Sequence, residues 1–187
     1  MATPAIDSRP LTAADMLAMP RDGQKYELVA GELIVSPAGI QHEGIASRLV
    51  VRIGVYLMGN RLGEVYTSSV GYELPSGDVL SPDVSFVSTA KLPQGNEPQG
   101  FGKFAPDLAV EIVSPNDSMT AIEDKVEIYL KNGTQLVWVI NPKLHKATVH
   151  RADGTLAAVR GDDALDGEGV LPGFTCRLTD IMQGAGK

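Results

Sequence analysis

Apolar residues recur every three to four positions through GIQHEGIASRLVVRIGVYLMGN. Ile45, Leu49, Ile53 and Leu57 form one stripe, and Ala46 and Val50 widen it. That period predicts an amphipathic helix with one buried face, closed by Gly59 and Asn60. A second helix is predicted over PNDSMTAIEDKVEIYLKNG. There Ile122, Val126, Tyr129 and Leu130 face inward, Asp117 or Ser118 caps the start, and Asn132 with Gly133 closes the end. Between and after these helices the period falls to two or vanishes. GEVYTSSVGYELP and VLSPDVSFVS read as strands separated by the turn-prone SGD. PDLAVEIVS and TQLVWVINP are almost wholly apolar, as expected of central strands covered on both faces.

The flanks are hairpins. KYELVAGELIVSP turns at Ala30 and Gly31, and KATVHRADGTLAAV turns at Asp153 and Gly154. A short helix near residues 12–18, capped by Thr12, lies within an N-terminal lead-in of residues 1–20. Residues 90–104, rich in Gly and Pro, are expected to form a loop, and CRLTDIM ends the fold. The order predicts one α/β domain over residues 21–187: a mixed central β-sheet flanked by helices, with additional N- and C-terminal β-hairpins.

Composition narrows the class. A 187-residue chain with 43% hydrophobic and 21% charged residues is globular rather than disordered. No apolar run approaches the ~20 residues that span a bilayer, and the N-terminus lacks a signal-peptide pattern. The lone Cys176 forms no internal disulfide and has no adjacent His or CxxC partner, so it reads as a core residue. A cytoplasmic setting is expected. The net charge of −7 is more informative. Nucleic-acid binders draw much of their affinity from phosphate neutralisation, and this chain has no Lys/Arg run. Any nucleic-acid role rests on local positive patches, a dimer groove or metal ions.

Two carboxylates break the apolar pattern. Glu111 sits amid Val110, Ile112 and Val113, where an ionised group is costly unless a cation or hydrogen bonds compensate it. Asp107 shares its strand face, but four residues span about 13 Å, too far for one ion. Asp107 therefore reads as a strand-start residue. Asp83, which opens the strand before the loop, meets Glu111 if the two strands are neighbours. Lys125 lies on the inner edge of the second helix, three residues after Ile122. Its ammonium either reaches this site or snorkels over the core. His42, four residues before Ala46, also leans inward, as a site residue or as a hydrogen-bonded helix-end histidine.

Asp83, Glu111 and a nearby lysine resemble the PD-(D/E)XK arrangement of restriction-endonuclease-like proteins. From YELVAGELIVSPAG through SPDVSFVS, PDLAVEIVSP, LVWVINP and VLPGF, the chain resembles the Uma-two family of endonucleases over residues 22–182. The resemblance implies a restriction-endonuclease-like core, a mixed four-stranded sheet with helices on both sides. One position departs from the pattern. The third residue of the E-x-K triplet is Val113, and the resemblance implies that Lys125 replaces the lysine from the helix. His42 is preferred to Glu43 as the first-helix site residue.

The implied chemistry is hydrolysis of DNA phosphodiester bonds. Asp83, Glu111 and the Ile112 backbone carbonyl would hold Mg²⁺ or Mn²⁺, and Lys125 would orient water or stabilise developing charge. An acidic nuclease is expected to work as a homodimer, with the N-terminal hairpin as one contact. The rival class is a non-catalytic binding or assembly module that keeps the fold. A metal-dependent hydrolase acting on another substrate is the third reading. The acidic GDDALDGEG does not have EF-hand spacing and reads as a solvated turn.

Overall fold

The computed structural model describes residues 9–19, 24–35, 39–92, 98–115 and 117–182. The long predicted helix is α2, Ile40–Gly59, preceded by the short α1, Ala13–Leu17. The second predicted helix is α3, Met119–Lys131, and a short α4, Leu178–Met182, follows the last strand. Thr12 caps α1 in a capping box with Asp15, and Ser118 caps α3 by accepting from the Ala121 N–H. Asp117 instead accepts from the Ser114 N–H at 2.7 Å, closing the turn before α3.

Six strands form the central sheet: β3 (Gly63–Thr67), β6 (Val84–Ser88), β7 (Leu108–Ile112), β8 (Leu136–Asn141), β9 (Lys146–Arg151) and β10 (Leu156–Arg160). Their spatial order is β10-β9-β8-β7-β6-β3. Only β7 and β8 pair in parallel, with Glu111 opposite Val139; the other pairs are antiparallel. A parallel pair needs a crossover, and α3 supplies it. Alternation sorts the side chains. Leu108, Val110 and Ile112 point to the face covered by Ile45, Leu49 and Ile53 of α2. Ala109, Val137 and Val139 point to the opposite face, against Ile122, Val126 and Tyr129 of α3. Glu111 has the parity of Ala109 and so lies under α3.

A second, antiparallel sheet lies on the α3 side, with the order β2-β1-β5-β4: β1 (Tyr26–Val29), β2 (Glu32–Val35), β4 (Tyr72–Glu73) and β5 (Val79–Leu80). Val29, Tyr72 and Leu80 pack on the α3 core, while Leu28 and Val79 close on Ala13 and Met16 of α1. The β1–β2 turn takes positive φ at Ala30 (51°) and Gly31 (80°), as a two-residue hairpin turn requires. A two-stranded sheet of β11 (Ala164–Asp166) and β12 (Thr175–Arg177) completes the chain.

The structure refines three expectations. The four-strand core, β3, β6, β7 and β8, becomes a six-stranded sheet because the C-terminal hairpin strands β9 and β10 join its edge. GEVYTSSVGYELP is divided between β3 in one sheet and β4 in the other. Its break is the turn closed by Val70 N–H to Thr67 carbonyl and by Gly71, where a Cβ would lie 2.7 Å from the Phe101 ring. VLSPDVSFVS is likewise divided between β5 and β6 at Ser81 and Pro82. Pro has no N–H to continue a ladder. The 90–104 loop is described at its ends, and residues 93–97 lie outside the described residues.

Candidate active site

Asp83 precedes β6 and Glu111 lies in β7. Val84 pairs with Val110 in this antiparallel ladder, so the next residue outward on each strand, Asp83 and Glu111, arrive together. The Asp83 N–H donates to the Val110 carbonyl at 2.9 Å, and the Ile112 N–H donates back to Asp83 Oδ2 at 2.8 Å. Both side chains are buried. They line a cavity of about 170 Å³ together with Lys25, His42, Ile112 and Lys125.

Three elements and the segment before β1 deliver the remaining polar groups. His42, in the first turn of α2, places Nε2 2.9 Å from Asp83 Oδ2. Lys25, just before β1, places Nζ 2.8 Å from Asp83 Oδ1. Lys125, two turns into α3, reaches Glu111 Oε2 at 3.3 Å and Glu27 Oε2 at 2.6 Å. The Tyr129 hydroxyl, one helical turn on, donates to Glu111 Oε1 at 2.9 Å. Glu27 in β1 is fully buried, and its Oε1 accepts from the Ser81 N–H at 2.9 Å. Asp107 stays apart, as its strand-start position suggested. It accepts from the Ser88 N–H at 2.7 Å and pairs with Lys91 at 2.9 Å.

Burial and charge pull these groups in opposite directions. Burial alone would raise the Asp83 carboxyl, but the His42 hydrogen bond and the Lys25 charge outweigh it and hold Asp83 down, to about 2. Burial dominates at Glu111. It is pushed up to about 7 despite Lys125, with Asp83 and Glu27 adding to the rise. Burial would lower both lysines, yet the surrounding carboxylates raise them, so both stay charged. His42 is raised too: burial would lower it, but the Asp83 hydrogen bond and the charges of Asp83 and Glu43 together outweigh burial. A carboxylate held ionised beside one held near neutrality is a common arrangement at functional sites.

The structure thus brings Asp83, Glu111, Lys125 and His42 to one cavity, with Ile112 lining it. Glu43 is exposed, 3.6 Å from His42 Nδ1, and does not reach the carboxylates. Lys25 and Glu27 were missed in the sequence, and Tyr129 was read as core only. For Glu27 the sequence held only Val29 on the same strand face, too little to mark that face as covered. Hard, convergent carboxylate oxygens suit Mg²⁺ or Mn²⁺. Among the described residues, no three His, Cys, Asp or Glu side chains are arranged as a ready metal cluster. The groups that could hold such an ion are the Asp83 and Glu111 carboxylates, with Ile112 lining the same cavity. Among the described residues, no helix is long and apolar enough to cross a membrane.

The family Uma2, described as "Putative restriction endonuclease", matches residues 13–179. Among curated proteins no sequence match was found. A crystal structure of a "putative nuclease" belonging to DUF820 from Anabaena variabilis superposes with a TM-score of 0.80. It shares 23% sequence identity, covering 92% of this chain and 98% of that one. At that identity the likeness establishes the fold.

Proposed function

This chain belongs to the Uma2 family, and from that premise we propose that it is a divalent-cation-dependent nuclease of the PD-(D/E)XK type that hydrolyses DNA phosphodiester bonds. The observation that carries the reading is the convergence of Asp83 just before β6, Glu111 in β7 and Lys125 in α3 on one cavity. Asp83, Glu111 and the Ile112 carbonyl would hold Mg²⁺ or Mn²⁺. Such an ion polarises a phosphate oxygen and lowers the pKa of water.

The chain's own groups have separable tasks. Glu111 and Asp83 present oxygens to the reacting centre. The Ile112 N–H and His42 fix the orientation of Asp83, and Tyr129 fixes that of Glu111. Lys125 projects a permanent positive charge into the cavity, where it stabilises charge developing on phosphate or orients the attacking water. Its position on α3 supports the replacement of the lysine absent at Val113. The net charge of −7 leaves one copy little positive surface for a duplex, so we infer a homodimer. The exposed Ile34 and Val35 of edge strand β2 support a contact through the N-terminal hairpin.

One observation favours the rival reading of a binding module: each carboxylate oxygen at the site already has an internal partner. A cleavage assay separates the two. Supercoiled plasmid and single-stranded DNA are incubated with Mg²⁺ or Mn²⁺ and either the parent protein or Glu111→Ala. Cation-dependent cleavage by the parent, lost in Glu111→Ala, supports the nuclease. No cleavage of either DNA by the parent, or equal cleavage by both proteins, refutes it.

A further inference from the structure

Every oxygen of the three buried carboxylates of the site has a donor or a cation beside it. Asp83 Oδ1 takes Lys25, and Asp83 Oδ2 takes His42 and the Ile112 N–H. Glu111 Oε1 takes Tyr129 and Glu111 Oε2 takes Lys125. Glu27 Oε1 takes the Ser81 N–H, and Glu27 Oε2 lies 2.6 Å from Lys125 Nζ in an ion pair without hydrogen-bond geometry. A divalent cation therefore meets a donor already on every Asp83 and Glu111 oxygen it would use.

The partners are not equally replaceable. Asp83 Oδ2 is pinned by a backbone N–H within the sheet. Lys125 stands on a regular helix and is shared between two carboxylates. Asp83 Oδ1 has Lys25 alone, at the end of a flexible four-carbon stem that leaves the chain before β1 begins. Lys25 is also the group that a cation would repel most directly, since both would lie on the same oxygen.

We propose that Lys25 is a placeholder for the divalent cation: its ammonium occupies the cation's place on Asp83 Oδ1, and on cation entry it moves to the substrate phosphate. The inference rests on the cation site proposed above. Its consequence is an order of assembly. Without substrate, the cation separates a buried ion pair and leaves the Lys25 ammonium beside a divalent charge without its Asp83 partner. With a phosphate present, the ammonium has a new partner. Cation and phosphodiester then bind with positive cooperativity, and each tightens the other by the same factor.

The variant Lys25→Gln removes the charge and keeps a donor for Asp83 Oδ1. Mn²⁺ is titrated calorimetrically into parent, Lys25→Gln and Asp83→Asn, each with and without a short single-stranded phosphorothioate oligonucleotide. Lys25→Gln is expected to bind Mn²⁺ alone at least about tenfold more tightly than the parent. It should bind the oligonucleotide more weakly, and the mutual tightening should shrink. Equal or weaker Mn²⁺ binding by Lys25→Gln, with Mn²⁺ binding by the parent that Asp83→Asn abolishes, overturns the placeholder and leaves the cation site standing. No Mn²⁺ binding by any of the proteins, with or without oligonucleotide, overturns both.

A second measurement needs no variant. Nitrogen-15 NMR of lysine ammonium groups in the parent should show the Lys25 signal protected without cation and lost on adding Mg²⁺, while that of Lys125 persists. A Lys25 signal unchanged at saturating Mg²⁺ overturns the placeholder.

Discussion

Lys125→Met removes one charge from between two buried carboxylates. The Lys125 side chain is 13% exposed, and those of Glu27 and Glu111 are 1% and 3% exposed. At 2.6 Å and 3.3 Å, with an effective dielectric near 20, each attraction is worth about 5–6 kcal/mol before desolvation. Desolvating the ammonium cancels much of that, but the carboxylates stay buried when the lysine is gone. Removing one partner of a buried ion pair costs about 3–5 kcal/mol. In a domain of this size that is a fall in Tm of about 6–20 °C. Met matches the stem in length and helix propensity, so packing adds little. The assay is urea unfolding at pH 8 with a chelator present. Neutralising one carboxylate, in Lys125→Met with Glu27→Gln, should restore much of the loss. A Lys125→Met protein within about 0.5 kcal/mol of the parent would refute the reasoning, because the lysine would then be a surface group with its stem on the core.

Three further outcomes follow from the same contacts. The Glu111 pKa is raised from 4.5 to about 7 on folding, so the folded state holds a proton that the unfolded state has lost. Stability should therefore fall as pH rises between those values, by about 3 kcal/mol; Glu111→Gln should flatten the profile, and identical profiles for the two proteins would contradict the assignment. Asp107→Ala strands the Ser88 N–H and takes the carboxylate away from Lys91, which keeps the Ala105 carbonyl. It should cost about 2–3 kcal/mol in urea unfolding without altering Mn²⁺ affinity; a changed affinity would place Asp107 in the site. Gly31→Ala puts a Cβ 2.5 Å from that of Pro10 at a φ of 80°, so Tm should drop by an amount equivalent to about 1–3 kcal/mol. An unchanged Tm would mean that the turn relaxes freely.

Part of this site was legible because it violates local pattern. An acid amid Val110, Ile112 and Val113 has to be compensated, and the helix after it carries a lysine on its inner edge. Helix period and strand parity were enough to align Lys125 and Glu111, because both repeats are fixed by backbone geometry. Lys25 and Glu27 were hidden for the converse reason. In KYELV an acid between Tyr and Leu reads as the wet face of an edge hairpin. Only the docking of that hairpin over α3, a tertiary fact, buries it. The division of VLSPDVSFVS between two sheets was hidden too. An apolar strand pattern records burial, not which sheet buries it, and the break rests on Pro82 alone.

The central claim is that Asp83 and Glu111 share one divalent cation. Crystals soaked in MnCl₂ and measured at the manganese absorption edge test it in a single map. The account predicts an anomalous peak bridging the Asp83 and Glu111 carboxylates, beside the Ile112 carbonyl, with Lys25 withdrawn from Asp83 Oδ1. A well-occupied peak elsewhere, with both lysines still on their carboxylates at saturating Mn²⁺, would contradict it.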